Sequence, residues 1–248
     1  MTRGLKPDPW LTLRRRTPAR VALGRAGASL PTAEVLRFAL DCAEARDAVH
    51  ARLEGDRIEH ELRATGRPVL RVSSTAADAA DYLRRPDSGR RLADESAERL
   101  AAVAVPCDVA IVLADGLSAT AANNHGAVLV GKLLHRLDRF VVGPLVLAER
   151  ARVALQDPIG QTLQARCCVI LLGERPGLGA ADSLGAYLVF DPRPGRSDAE
   201  RNCVSNIRPA GLPLAAAADT IAYLIDASLT RRLSGVHLKD DRVRTLPG

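Results

Sequence analysis

The period of the apolar positions changes near residue 68. Before it, Val35, Leu36, Ala39, Ala43 and Val49 recur at roughly helical spacing, predicting a helix from Thr32, as cap, to about Leu53. A second short helix reaches Arg63, and Gly66 and Pro68 then punctuate the chain. After Pro68, short β-branched runs alternate with longer helical stretches. Strands are predicted over residues 69–72, 108–113, 140–147 and 167–172, with 187–190 and 202–207 extended. Between them, residues 82–103 read mainly as helix, disturbed near Pro86 and Gly89. Ser118 caps a helix reaching about Leu137, residues 156–164 form a short helix, and residues 214–232 close the chain as another. Strand runs that are apolar throughout are buried on both faces, as in parallel sheets covered by helices. The pattern therefore predicts an α/β fold: a doubly wound, mainly parallel sheet flanked by helices and preceded by a small helical N-terminal region. The expected division is an arm and helical region over residues 1–66 and a Rossmann-like α/β domain over 67–248. Residues 1–31 are Arg-rich, with Asp8 the only acid and prolines at 7, 9, 18 and 31, and read as an arm that docks on a partner chain.

Composition narrows the function. The 248 residues carry a formal net charge of +6, and only three of the 35 basic residues are lysines (Lys6, Lys132 and Lys239). A basic surface suits an anionic partner, although an overall Arg/Ala bias explains it as well. With 3% aromatic residues the chain lacks the stacking rings of a single-stranded nucleic-acid binder, so no nucleic-acid partner is expected. No apolar run approaches the roughly 20 residues that span a bilayer, and no membrane partner is expected. The N-terminus has no apolar core of a secretory signal. Five scattered cysteines, Cys42, Cys107, Cys167, Cys168 and Cys203, read as reduced thiols of a cytoplasmic protein. Without CxxC or HExxH, and with dispersed histidines, no metal ligands are assigned.

Ligands of open α/β sheets bind beyond the carboxyl ends of the strands. Two such ends are rich in small or polar residues: Asp115-Gly116-Leu117-Ser118, and Gly173-Glu174-Arg175-Pro176-Gly177-Leu178-Gly179. Glycines admit close backbone approach, and Glu174 can accept hydrogen bonds. Neither loop has the glycine spacing of a dinucleotide fingerprint or the Lys-Ser/Thr of a P-loop. A plain tight turn at the second loop, and a turn with a helix cap at the first, remain equally open. Cys203 has no histidine near it in sequence, so a small buried hydrophobe is preferred to a nucleophile. Arg84-Arg85 and Arg90-Arg91 suit phosphate or carboxylates, or a solvated helix face.

Several stretches, in order, resemble the small (light) subunit of adenosylcobalamin-dependent ethanolamine ammonia-lyase. They are Thr17-Pro18-Ala19-Arg20-Val21 running into Gly24-Arg25-Ala26-Gly27, Arg84-Arg85-Pro86-Asp87-Ser88-Gly89-Arg90-Arg91-Leu92, and Asp115-Gly116-Leu117-Ser118. Then follow Arg152-Val153 with Gln156-Asp157-Pro158-Ile159-Gly160, the glycine-rich loop from Gly173, and Cys203-Val204-Ser205-Asn206-Ile207. Each is weak alone; the ordered set covers most of the chain from about Thr17. The resemblance implies a carbon–nitrogen lyase built as a hetero-oligomer. Its large subunit would carry the substrate pocket and the catalytic residues of the radical conversion of ethanolamine to acetaldehyde and ammonia. The small subunit would hold the nucleotide tail and corrin of adenosylcobalamin where the two chains meet. The family's cofactor contacts map onto Val153, Glu174 and Cys203, and no catalytic residue is assigned here. Cobalamin modules that replace the cofactor's lower base carry Asp-x-His-x-x-Gly, which no histidine here fits, so the benzimidazole is expected to stay on cobalt. Some family members carry a longer N-terminal extension associated with bacterial microcompartments; this sequence starts close to the shared core. The competing reading is a self-sufficient nucleotide-binding oxidoreductase. It requires a glycine turn after the first strand, where Thr75-Ala76-Ala77-Asp78 stands instead.

Overall fold

The structure is a computed structural model and describes residues 10–242. Six strands form one sheet: β1 (Val69–Ser73), β2 (Cys107–Ala114), β3 (Val142–Glu149), β4 (Ala165–Gly173), β5 (Leu184–Phe190) and β6 (Arg201–Ile207). Their spatial order is β1-β3-β2-β4-β5-β6. Successive residues of the central strands point to opposite faces, and both faces are buried. Ile111, Leu113, Leu145, Leu147, Val169 and Leu171 pack under Ile58, Leu62, Leu129, Leu133, Ile221 and Ile225. Those six come from α3 (Gly55–Arg63), α7 (Ala127–Leu134) and α9 (Leu214–Arg231). On the other face, Ala110, Val112, Val146 and Ile170 pack under Leu100, Leu155, Ile159 and Leu163. These belong to α5 (Asp94–Ala101) and to the segment around α8 (Gln156–Thr162). The two-sided burial explains why the strands read as unbroken apolar runs.

The α/β class is as predicted, but the sheet is mixed. β1, β3, β2 and β4 are parallel neighbours, whereas β5 runs antiparallel to β4 and β6 antiparallel to β5. Three of the five pairings are parallel, so the sheet is mainly parallel as expected, but the antiparallel β5–β6 edge departs from the doubly wound arrangement. A parallel return needs a crossover of a dozen or more residues. Residues 174–183 are too few and hold no helix, and residues 191–200 hold only the single 3-10 turn Asp198–Glu200.

Two helix predictions also change. Residues 82–103 are not one helix but α4 (Ala79–Arg84), a 3-10 turn at Ser88–Arg90, and α5. Pro86 cannot donate to a continued helix, and Asp78 caps α4 by accepting from the Asp81 amide at 2.8 Å. Thr32 is the first residue of α2 (Thr32–His50), not its cap; Pro31 precedes it and no side chain caps the helix. Ser118 does cap α6 (Ala119–Ala121), accepting from Ala121 N at 3.3 Å. α6 passes through a π-helical turn, Ala122–Gly126, into α7. Before α2, only α1 (Leu11–Arg14) is helical among the described residues of the arm. All five cysteines are free. No described helix is long and apolar enough to cross a membrane.

Candidate functional site

The loops after β1, β2, β3 and β4 meet at the carboxyl rim of the sheet. The closest packing there is backbone on backbone. A Cβ on Gly173 would sit 2.0 Å from Ser118 O, and one on Gly116 (φ +61°) 2.2 Å from Gly173 O. Leu117 N donates to Gly173 O at 2.9 Å, which clamps the β2 loop against the end of β4.

Asp115 ties this clamp to the next loop. Its carboxylate accepts from Gly116 N (2.8 Å), Arg150 N (2.6 Å) and Ala151 N (3.0 Å). Arg150 sits at φ 54°, so these bonds hold an unfavourable turn. Burial outweighs the three amides and pushes the Asp115 carboxyl up to about 6. Asp115 and Ser118 thus turn the chain and cap a helix, one of the two readings left open from sequence, and they fix the backbone leading into Arg152 and Val153.

Val153 opens a 3-10 turn after β3, Glu174 follows β4 directly, and Cys203 lies on β6. The structure brings all three to one place. A hollow of about 450 Å³ is lined by Tyr82, Arg152, Val153, Glu174, Arg175 and Tyr187, among others. An adjoining hollow of about 600 Å³ shares Arg152, Val153 and Tyr187 and adds Arg90, Arg201 and Cys203. Cys203 stands opposite Tyr187 in the β5–β6 register. Val153 and Tyr187 therefore form the wall between Glu174 on one side and Cys203 on the other.

Each lining residue has a local cause. Glu174 Oε2 accepts from Ser183 Oγ (2.5 Å) and Asn206 N (3.2 Å). Oε1 lies beside Gly185 and has no donor among the described residues. Arg152 stacks its guanidinium over Tyr82, with Cζ 4.3 Å from the ring centroid, and donates from Nη2 to Tyr82 O at 3.0 Å. Its Nε is buried without an acceptor. Tyr82 is fixed in turn by donating to Ala151 O at 2.9 Å. Burial, with the Cys203 thiol as neighbour, raises the Tyr187 phenol far above its usual range. The Cys203 thiol is raised too, first by desolvation. Cys203 itself is exposed, not the small buried hydrophobe expected from sequence, and with its thiol raised it is a neutral wall, not a thiolate nucleophile.

Positive charge surrounds the hollow. Arg201 is spent on Asp157 through two 2.7 Å bonds, and Arg196 on Asp191 and Glu200. Arg90 keeps only an exposed pair with Asp87 at 3.1 Å, and Arg175 has no partner among the described residues. Tyr82, Tyr187, Arg196 and Arg201 line the hollows without having stood out in the sequence. Tyr82 is one of only three tyrosines in the chain and stands just before Arg84-Arg85, a signal that was available. Tyr187 becomes part of the site only through strand register. Among the described residues, no three His, Cys, Asp or Glu side chains cluster to hold a metal ion.

Comparison with known proteins matches the sequence of this chain to one family. Residues 7–239 match the family model described as ethanolamine ammonia-lyase light chain. A protein of Bradyrhizobium diazoefficiens named ethanolamine ammonia-lyase small subunit is 55% identical over 243 residues, covering 96% of this chain and 93% of its own length. Proteins of the same name are 54% identical in Rhodopseudomonas palustris (95% and 93% covered) and 52% identical in Azotobacter vinelandii (94% and 89% covered). With the match running through every loop that builds the hollow, the chain belongs to the ethanolamine ammonia-lyase light-chain family.

Proposed function

We propose that this chain is the small subunit of a two-component ethanolamine ammonia-lyase and binds adenosylcobalamin in the double hollow, facing a large catalytic subunit. One observation carries the reading: Val153, Glu174 and Cys203, on three separate elements, line two adjoining hollows that share Arg152, Val153 and Tyr187.

The residues present fit such a ligand. Val153 and the Tyr187 ring offer flat apolar surface to a heterocycle or a corrin edge. Glu174 Oε1, without a donor of its own, is an acceptor for a side-chain amide or hydroxyl. Arg175 and Arg90 suit the phosphate of a nucleotide tail. When bound, the cofactor supplies the radical that starts the conversion of ethanolamine to acetaldehyde and ammonia. This chain's residues orient and desolvate; none is paired as nucleophile and base. Glu174 is held by Ser183 and Asn206, and the Cys203 thiol is kept protonated.

Spectroscopic titration of the assembled enzyme with adenosylcobalamin tests the reading. Glu174→Ala removes one acceptor from the ligand, so half-saturation should need about 10-fold to 100-fold more cofactor. Turnover at saturation should be retained. Unchanged affinity with lost turnover would overturn the binding role.

A further inference from the structure

α2 carries its chemistry the reverse way round for a surface helix. At about 100° per residue, Glu34, Arg37 and Asp41 share one face, and Val35, Leu36, Phe38, Ala39 and Leu40 sweep an arc of roughly 200° over the rest. An ordinary surface helix turns its apolar stripe inward. Here the polar face is the one engaged by this chain: Arg14 pairs with Glu34 and Arg20 with Asp41, both from the arm. The rest of the arc faces out, with Val35 49%, Leu36 65% and Leu40 57% exposed, while Phe38 at its edge is 48% exposed and carries the Arg20 guanidinium over its ring, Cζ 5.2 Å from the centroid. The only fully buried residue of the helix is Ala48, near its end. Trp10, Leu11, Leu13 and Leu30 add exposed apolar surface from the arm. Such a concentration is more than the scattered apolar side chains of a monomer surface.

We infer that the outward arc of α2 is the surface on which the large subunit docks. The inference rests on the small-subunit reading above and adds where the contact is made. Position argues for this occupant. In the 174–183 loop, Glu174 and Arg175 line the hollow, while Leu178, Gly179 and Ala180 line a groove of about 550 Å³ against the arm and α2. α2 also packs on α6, which starts at the carboxyl end of β2. The helix therefore stands on the same rim as the hollow, one loop away. A chain that closes the hollow reaches the arc without leaving that rim. A second copy paired arc to arc would leave the hollow's mouth uncovered.

The test uses the full chain with the large subunit and reads assembly by sedimentation velocity. Leu36→Asp/Leu40→Asp should weaken assembly about 100-fold or more. The thermal midpoint of the chain alone should stay within about 3 °C, since both side chains are exposed. Ala39→Arg, which keeps helix propensity and removes no contact, should also weaken assembly. Val105→Asp, at an exposed position just before β2 on the opposite rim, should leave it intact. If the wild-type chain does not assemble with the large subunit, the small-subunit reading itself falls, and this inference with it. If wild type and both α2 variants assemble equally, the docking surface is overturned while the subunit reading stands. If the chain alone is a dimer that the α2 variants dissociate, with assembly preserved, the arc belongs to a second copy and the inference is overturned.

Discussion

Gly89 shows how little room the rim allows a single residue. A Cβ there would lie 2.8 Å from both Arg152 Cγ and Tyr82 Cε2. The ring cannot swing away, because Tyr82 is buried and its hydroxyl is held on Ala151 O. Gly89→Ala should therefore cost about 1–3 kcal/mol in urea unfolding, the scale of overpacking a filled site. It should also weaken cofactor binding by displacing Arg152; unchanged stability would mean that the loop shifts freely. Asp115 gives a prediction in pH. Its folded-state value, about 6, lies above the 3.8 of the free side chain, so the folded state binds the extra proton between those values. The stabilisation is full below about pH 4 and is lost as pH rises through 6. The stability advantage of wild type over Asp115→Asn should shrink across that window by at most about 3 kcal/mol. A difference that stays flat from pH 4 to 7 would show that the carboxyl titrates normally. The Asp-Gly-x-Ser loop was legible in sequence as a turn with a cap, because those residues act locally. That its carboxylate reaches across to residues 150 and 151 was not, since the bond spans 35 positions.

At the scale of elements, the strands declared themselves because burial on both faces demands unbroken apolar runs, as in residues 108–113 and 167–172. Helix continuity was less legible. Residues 82–103 keep enough helical spacing to suggest one element, but Pro86 and the close approach at Gly89 divide it. The π-helical turn at Ala122–Gly126 left no periodic trace; tertiary bonds accompany it, with Asn123 accepting from Glu54 N at 3.0 Å and donating to Arg52 O at 2.9 Å. The Tyr187–Cys203 juxtaposition depends on register between two strands, which composition does not encode. One buried ion pair joins elements on either side of the site. Arg201 on β6 donates twice to Asp157 on α8, with side chains 2% and 3% exposed. Arg201→Met strands a buried carboxylate and should cost about 3–5 kcal/mol in denaturant unfolding. Arg201→Met/Asp157→Leu should recover most of that loss, because removing both charges removes the desolvation penalty as well. A double variant as unstable as the single one would mean that the pair itself, and not the stranded charge, holds β6 to α8.

For the whole molecule, the change from parallel to antiparallel pairing after β4 shapes the site. Had β4 been followed by a covering helix, the chain would have left the rim. The short 174–183 return instead keeps Glu174 beside β5, brings β6 alongside, and extends the parallel-strand rim into a wall carrying Tyr187 and Cys203. The cleft so formed is poor in reactive groups. His125, the histidine with a carboxylate partner, pairs with Asp182 at 3.1 Å, and neither residue lines the hollow. The thiols of Cys107, Cys167 and Cys168 are buried and raised, that of Cys167 to about 12. Among the described residues the hollow thus offers no base positioned to activate a nucleophile. The purified chain, given adenosylcobalamin and ethanolamine, should accordingly release no ammonia above background. Adding the large subunit should restore turnover, rising with its concentration until the two chains are matched. Ammonia released by this chain alone, in a preparation shown by mass spectrometry to be free of other subunits, would mean that the cleft does chemistry and would sink the division of labour proposed for it.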